Sequence, residues 1–194
     1  MTKTVALLVW AAGIVAWYII RHPYSRKARK GAVSKNMIDG TEWVVLTILT
    51  LGLFVIPAVY AATGLPRVAE RPFDPALAWI GVLAFAGSLW LFWRTHVDLG
   101  RNWSVSLKMR EKHQLVTQGV YHYVRHPMYS SFLLMAVGQL LLLPNWVGGG
   151  AGIVGVACLL LFRLRREETM MRERFGDAYR DYSARTARII PWLI

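Results

Sequence analysis

The sequence predicts an all-α fold, an integral membrane bundle of about five transmembrane helices with a cytoplasmic C-terminal helix. Three observations support this prediction. Hydrophobic residues make up 55% of the 194 residues, they are concentrated in long uncharged runs, and the basic residues lie between those runs. A helix must present about 20 apolar residues to cross a hydrocarbon core of about 30 Å. The runs approach that length, so they predict a membrane protein.

The first three runs, 4–20, 43–63 and 76–93, contain no charged residue, and each predicts a transmembrane helix. Two shorter runs follow, 128–143 and 151–162. They predict either two full crossings or a re-entrant hairpin that dips into the bilayer. Both options return the chain to the side from which it entered.

The distribution of charge predicts the orientation. The formal net charge is +12, and twenty of the 23 Lys and Arg residues lie in segments 21–35, 94–125 and 163–188. Because cytoplasmic loops carry the excess of basic residues, we expect the N-terminus outside and the C-terminus in the cytoplasm. The same distribution favours membrane topology over nucleic-acid binding, so we expect no nucleic-acid partner.

The chain is interpreted as a single membrane domain, 1–194, with two parts. Residues 1–94 form a three-helix anchor, and residues 95–194 form a cofactor-binding catalytic half that holds almost all the polar residue types able to do chemistry. Residues 162–182 show apolar and aromatic side chains near helical spacing and predict one helix that leaves the membrane, with a bend at Gly176.

The first candidate site element is Arg125-His126-Pro127 at the start of an apolar run. Proline is favoured in the first helical turn, where free N–H groups and the helix dipole attract anions. Tyr121 and Tyr129 flank this segment. The simpler interpretation is an interfacial flank with an aromatic belt, and the residues alone leave both interpretations open.

The second element is the pair Glu167 and Glu168, which follows Arg163 just beyond the last apolar run. A carboxylate at that depth can accept hydrogen bonds from ribose hydroxyls or face a cationic sulfonium, although most such charges are simply solvated. Together with the cationic helix start, the pair supplies what S-adenosylmethionine needs, namely donors for its carboxylate and acceptors for its ribose.

Other catalytic classes lack their residues. His122 and His126 are four positions apart, but Pro127 disfavours a helix through both, and no third ligand has suitable spacing. We therefore predict no metal. The sequence has no Gly-x-Gly-x-x-Gly strand-helix unit, which excludes a soluble Rossmann-type methyltransferase.

The ordered motifs of the second half resemble the isoprenylcysteine carboxyl methyltransferase family, within the wider group of integral membrane phospholipid and isoprenylcysteine methyltransferases. The matching segments are 98–104 (Asp-Leu-Gly-Arg-Asn-Trp-Ser), 115–121, 125–129, 167–168 and 175–182, followed by Thr186, Arg188 and Pro191. The first half matches only as apolar helices. The departure is Gln118-Gly119-Val120, which stands where a Gly-Pro turn is common.

The resemblance implies a pocket for S-adenosylmethionine and a lipid or prenylated substrate that enters from the bilayer. It implies cofactor binding by Tyr121, Arg125, His126, Pro127, Tyr129 and Glu168. It places Glu167 close to that pocket, and it places Arg163 near the acceptor together with Asn102, Trp103 and Ser104. Arg163 and Glu167 are the expected catalytic residues, and Asn102, Trp103 and Ser104 are the expected substrate-binding residues.

The expected reaction is carboxyl O-methylation of an isoprenylcysteine-type substrate, which needs no general base because a carboxylate is already ionised near neutral pH. One alternative is a phospholipid amine or small-thiol methyltransferase. A second alternative is a non-catalytic membrane scaffold whose arginines bind anionic lipid.

Overall fold

The computed structural model describes residues 1–28, 33–36, 39–100, 108–110, 114–191 and 193. These residues form helices and one short strand pair: α1 (Lys3–Ala28), β1 (Val33–Asn36), α2 (Gly40–Thr63), α3 (Pro75–Leu99), β2 (Lys108–Arg110), α4 (Pro127–Leu142), α5 (Trp146–Phe175) and α6 (Asp177–Arg185). Single 3-10 turns cover Arg67–Ala69 and Gly119–His122, and π-helical turns cover Leu51–Val55 within α2 and Leu160–Leu164 within α5. The predicted all-α membrane fold is confirmed.

The starts of four helices have local causes in the sequence. Asp39 caps α2 by accepting from the backbone N of Glu42 at 2.9 Å, and Asp74 caps α3 in the same way. Pro75 and Pro127 occupy first helical positions, where a missing N–H leaves no bond unmade. Asn145 caps α5. These caps explain why the helices extend beyond the apolar runs themselves.

Four helices, Lys3–Lys27, Gly40–Thr63, Pro75–Leu99 and Trp146–Phe175, are long and apolar enough to cross a membrane. The fifth, α4, has 16 residues and is therefore about 24 Å long. Small residues allow α2 and α5 to approach closely, because a Cβ added to Gly52 would lie 2.4 Å from the backbone oxygen of Ala151. The buried amide of Gln139 on α4 joins this contact by donating to the oxygens of Gly52 and Gly148.

The helix ends meet in two groups. Six helix parts come together at the basic end: the ends of α1 and α3, the starts of α2 and α4, the C-terminal half of α5, and α6. The contacts that join them include Tyr24 with His96, Asp39 with Arg166, Asp98 with Val120, and Arg125 with Glu168. At the opposite end the contacts are Lys3 with Glu70, Asn145 with Pro66, and Arg71 with Leu140. Both α4 and α5 therefore run from one end of the bundle to the other, an arrangement that is consistent with the prediction of two crossings.

The chain after α5 folds back onto the bundle. Gly176 has φ 52 and separates α5 from α6, so the predicted bend is present at that residue. Beyond α6, the backbone N atoms of Arg125 and His126 donate to the oxygens of Ala187 at 2.8 Å and Arg188 at 3.0 Å. These backbone bonds fasten the C-terminal segment beside the start of α4. The antiparallel pair β1–β2 was not predicted from the sequence.

Candidate active site

The segment before α4 is fixed to the last turn of α3. Asp98 accepts from the backbone N of Val120 at 2.9 Å and from Arg94 at 2.8 Å. Gly119 has φ 64, and a Cβ there would lie 2.2 Å from Oδ2 of Asp98. Glycine is therefore required at position 119 for both conformation and space. This contact sets the course of the chain into Arg125 and His126.

Glu168 is the centre of a charged cluster at the basic end. It is 5% exposed, and its Oε1 lies 3.0 Å from Nη2 of Arg125 and 3.4 Å from Nε2 of His126. Its Oε2 lies 3.4 Å from Nη2 of Arg172 and 3.6 Å from Nε of Arg188. A carboxylate this buried is stable only when charged or hydrogen-bonding partners surround it. The cluster thereby joins α4, α5 and the C-terminal segment.

Arg125 connects that cluster to the tail. Its Nε and Nη2 donate to Oε1 of Glu168 at 3.1 and 3.0 Å, and its Nη1 donates to the backbone oxygens of Ser183, at 2.7 Å, and Thr186. The guanidinium can fill these roles together because its donors lie in a rigid planar fork. All three guanidinium nitrogens of Arg125 donate hydrogen bonds, so Arg125 connects α5 to the end of α6.

Glu167, the second glutamate of the pair, contacts the start of α4 through a different residue, Tyr129. The Tyr129 hydroxyl donates to Oε2 of Glu167, and the Tyr129 ring stacks on the His126 ring with centroids 5.4 Å apart. Pro127 lies between them at the first helical position. Tyr121 and Tyr129 are both buried, whereas Tyr123 is 61% exposed. The aromatic-belt interpretation thus fits Tyr123 and does not fit the other two tyrosines.

Arg163 lies on the same face of α5 as Glu167, one turn earlier. Its Nη1 is 3.1 Å from Oε1 of Glu42, which is 1% exposed. Arg163 also interacts electrostatically with Tyr129 and Glu167. The first half of the chain therefore reaches this region through a carboxylate on α2.

Three tyrosines enclose the cluster on the tail side. The Tyr182 hydroxyl donates to the backbone oxygen of Tyr121 at 2.6 Å. Burial, reinforced by the nearby charge of Glu167, raises the pKa of Tyr121 well above its usual range. Burial, reinforced by Glu168, raises the pKa of Tyr179 to about 12. These phenols remain neutral hydrogen-bonding groups at physiological pH.

Two of the buried donors that have no hydrogen-bond acceptor among the residues that the structure describes lie in this region: the Tyr179 hydroxyl and Nε of Arg163. A buried polar group left without a partner is costly, and such groups in native structures require an explanation. Arg163 interacts electrostatically with Glu167, and Tyr179 with Glu168, so both donors lie near the glutamate pair. They fit a polar, partly anionic ligand between α4, α5 and α6, and S-adenosylmethionine has that chemistry.

Most of the predicted site residues come together. Those joined by contacts or electrostatic interactions at the basic end are Tyr121, Arg125, His126, Pro127, Tyr129, Arg163, Glu167 and Glu168. The sequence analysis assigned the cationic residues and the glutamates to different parts of the cofactor, whereas here Arg125, His126 and Glu168 contact one another. The predicted substrate-binding residues Asn102, Trp103 and Ser104 lie outside the described residues.

Sequence reasoning missed Glu42 and Tyr179. Glu42 was assigned to a plain apolar anchor, although its spacing from Asp39 equals the spacing of Arg163 from Arg166. That equal spacing was the available signal, since two carboxylates and two arginines one helical turn apart can pair between adjacent helices. Tyr179 was noted only as part of a motif. Among the described residues, no group of three His, Cys, Asp or Glu side chains is placed to hold a metal.

Comparison with known proteins identifies similar sequences. Residues 79–173 match the isoprenylcysteine carboxyl methyltransferase (ICMT) family. The chain is 35% identical over 165 residues to protein-S-isoprenylcysteine O-methyltransferase B of Arabidopsis thaliana, covering 80% of this chain and 83% of that relative. It is 35% identical over 97 residues to protein-S-isoprenylcysteine O-methyltransferase of Schizosaccharomyces pombe, covering 49% of this chain and 41% of the relative. It is 29% identical over 132 residues to the Rattus norvegicus protein of that name, covering 64% of this chain and 46% of the relative.

Proposed function

Because the chain belongs to the isoprenylcysteine carboxyl methyltransferase family, it is an integral membrane methyltransferase, and we propose that it methylates the C-terminal carboxylate of an isoprenylated cysteine with S-adenosylmethionine as donor. The observation that carries this proposal is the buried cluster around Glu168. It joins the start of α4, the C-terminal half of α5 and the tail, and it leaves the Tyr179 hydroxyl as an unused buried donor in the described structure.

The proposed cofactor site is formed by Tyr121, Arg125, His126, Pro127, Tyr129 and Glu168. S-adenosylmethionine supplies an electrophilic methyl group on a sulfonium when bound. Arg125 acts indirectly, since its nitrogens hold Glu168 and the tail in place. Arg172 and Arg188 are each about half exposed and lie 3.4 and 3.6 Å from Glu168, so these two guanidinium groups are placed to receive an amino-acid carboxylate.

The proposed acceptor site lies on the Arg163 side of the cluster. Arg163 neutralises and orients the acceptor carboxylate, and Glu167, held by the Tyr129 hydroxyl, lies beside it as the second catalytic residue. The acceptor arrives already ionised, so no side chain has to remove a proton. Rate acceleration then depends on orientation in a water-poor site. Asn102, Trp103 and Ser104 are proposed to line the path of the prenyl substrate.

We also propose the orientation. Four helices long and apolar enough to cross a membrane and the shorter α4 run between the two ends of the bundle, so we place the termini on opposite sides, and the positive-inside rule assigns the basic end to the cytoplasm. The N-terminus is then outside and the C-terminus cytoplasmic. That orientation gives a soluble cofactor direct access to the Glu168 cluster.

The test is methyl transfer from radiolabelled S-adenosylmethionine by the purified protein in nanodiscs, with a farnesylated cysteine, phosphatidylethanolamine and a small thiol as acceptors. We expect label on the prenylcysteine that base releases as methanol, at a rate nearly constant between pH 6 and 9. Label on the amine at a rate that rises with pH would replace this acceptor by a phospholipid, because an amine must first lose a proton. No transfer and no saturable S-adenosylhomocysteine binding would overturn the enzyme and support a scaffold.

A further inference from the structure

Two ion pairs of different character join α2 to α5 at the basic end. Arg166 donates to Oδ1 and Oδ2 of Asp39 at 3.0 and 2.8 Å, and this pair is open to solvent, with side chains 28% and 50% exposed. One helical turn after Asp39 on α2 and one turn before Arg166 on α5, Glu42 pairs with Arg163 at 3.1 Å. The side chains of Arg163 and Glu42 are 12% and 1% exposed. The outer pair is an ordinary surface contact, whereas the inner pair buries both charges.

Stability does not explain the inner pair. Taking both charges out of water largely offsets their attraction, and well-packed apolar residues in place of a buried pair are often as stable or more stable. The outer pair and the close contact at Gly52 already hold α2 against α5. The buried carboxylate of Glu42 therefore has another role, and the direction of Arg163 indicates which one.

Arg163 pairs with Glu42 and also interacts with Tyr129 and Glu167, which contact each other. Because the guanidinium is planar, the pairing of Nη1 with Glu42 limits the directions in which the N–H groups of the other two nitrogens can point. One of them, Nε, is buried and has no hydrogen-bond acceptor within the described part of the chain. A fixed cation with a spare buried donor is suited to receive a carboxylate.

We infer that Glu42 is a positioning residue for methyl transfer, which holds Arg163 in the orientation that the acceptor carboxylate requires. This inference rests on the proposed function and extends it to the first half of the chain. Glu42 contacts Arg163 rather than the reacting groups. The catalytic unit then includes the start of α2 as well as residues 95–194.

The test compares Glu42→Gln with Asp39→Asn, measuring kcat, the KM for farnesylated cysteine, and the affinity for S-adenosylhomocysteine. In Glu42→Gln, we expect kcat to fall about tenfold because Arg163 is no longer held in line. The acceptor KM should stay the same or decrease, since the positive charge remains and a competing negative charge is gone. Cofactor-product affinity should stay within twofold, and Glu42→Asp, which keeps the charge, should recover part of kcat.

Asp39→Asn is the matched control, because it breaks the outer pair between the same helices while asparagine keeps the helix cap. All three quantities should stay within twofold of wild type. A Glu42→Gln variant with unchanged kcat would overturn the inference, as would one in which kcat and S-adenosylhomocysteine affinity fall in parallel, because parallel loss indicates general damage to the fold.

A double variant separates action through Arg163 from an independent effect. If Glu42 acts through Arg163, Glu42→Gln combined with Arg163→Gln should be no slower than Arg163→Gln alone, whereas additive losses would overturn the inference. If Glu42→Gln does not fold, the comparison of the double variant with Arg163→Gln still tests whether Glu42 acts through Arg163, since the double variant buries neither charge. A wild type that does not methylate the prenylcysteine would overturn the proposed function together with this inference. An active wild type with an equally active Glu42→Gln overturns only the inference.

Discussion

The two ends of the bundle solve the same structural problem with different chemistry. At the opposite end, the buried and uncharged Asn145 accepts from the backbone N atoms of Val147 and Gly148 and donates to the oxygen of Pro66. The ion pair there, Lys3 with Glu70, is open to solvent. At the basic end, Glu168 and Glu42 are buried with their arginine partners.

The difference shows that joining helices does not require a buried carboxylate in this molecule, because the partly buried arginine at the opposite end, Arg71, donates to the backbone oxygen of Leu140. One amide at the opposite end caps α5 and fixes the preceding loop without removing an ion from water. Burying carboxylates and arginines carries a large desolvation cost, and such clusters are characteristic of functional sites. The charges of the basic end are therefore better explained by ligand binding than by stability.

The largest effect should come from Glu168→Gln. Losing the carboxylate leaves the buried Arg125 and His126 without their anion, so S-adenosylhomocysteine affinity and methyl transfer should each fall about 100-fold or more, equivalent to about 3 kcal/mol. Isothermal titration in detergent measures the affinity. Glu173→Gln, an exposed change on the same helix, serves as the control and should bind normally. Unchanged affinity in Glu168→Gln would show that the cofactor site has been assigned to the wrong end of the bundle.

The next largest effect tests the opposite end. Asn145→Ala removes a helix cap and a buried hydrogen bond, and we expect a loss of about 2 kcal/mol and a decrease in Tm of about 4–8 °C. Asn145→Ser, which keeps a capping oxygen, should lose less. S-adenosylhomocysteine affinity and kcat should stay within twofold of wild type in both. A parallel loss of binding would mean that the two ends are coupled and that the contrast between them fails.

A smaller effect concerns Tyr179 and pH. Its pKa is raised to about 12, so the folded protein keeps this phenol protonated after the unfolded chain begins to ionise near pH 10. The associated stability is complete below about pH 10 and is lost as the pH rises toward 12, by about 1 kcal/mol at pH 11. In Tyr179→Phe, the decline in Tm between pH 9 and 11 should be shallower. Tyr18→Phe, at an exposed site on α1, should keep the wild-type slope, and identical slopes in all three proteins would refute the assignment.

The smallest effect is expected for Glu70→Gln. The Lys3–Glu70 pair is exposed, and such pairs are screened and gain little, so Tm should change by about 1 °C or less and activity should not change. Thermal unfolding at low and high salt measures this. A decrease of several degrees would show that charge also stabilises the opposite end.

Much of the architecture could be predicted because its causes are local. The uncharged runs identified the helices, and Pro127 marked the start of α4 correctly. The sequence analysis predicted that Arg125 and Glu168 lie at one pocket. It did not predict that the two side chains form an ion pair. That α4 reaches both ends of the bundle also required the structure, because a run of 16 apolar residues is compatible with either a crossing or a hairpin.

By itself the sequence determined the positions of the apolar helices, the start of α4 at Pro127, the distribution of basic residues and the motifs that place the chain in its family. Each of these depends on residues adjacent in the chain or one helical turn apart. Only the tertiary structure decided that Glu42 meets Arg163, that Arg125 holds the tail, and that Tyr179 lies buried beside the cluster without a partner among the described residues. Such pairings depend on the rotation and depth of whole helices, which are set by the packing of every apolar face against its neighbours.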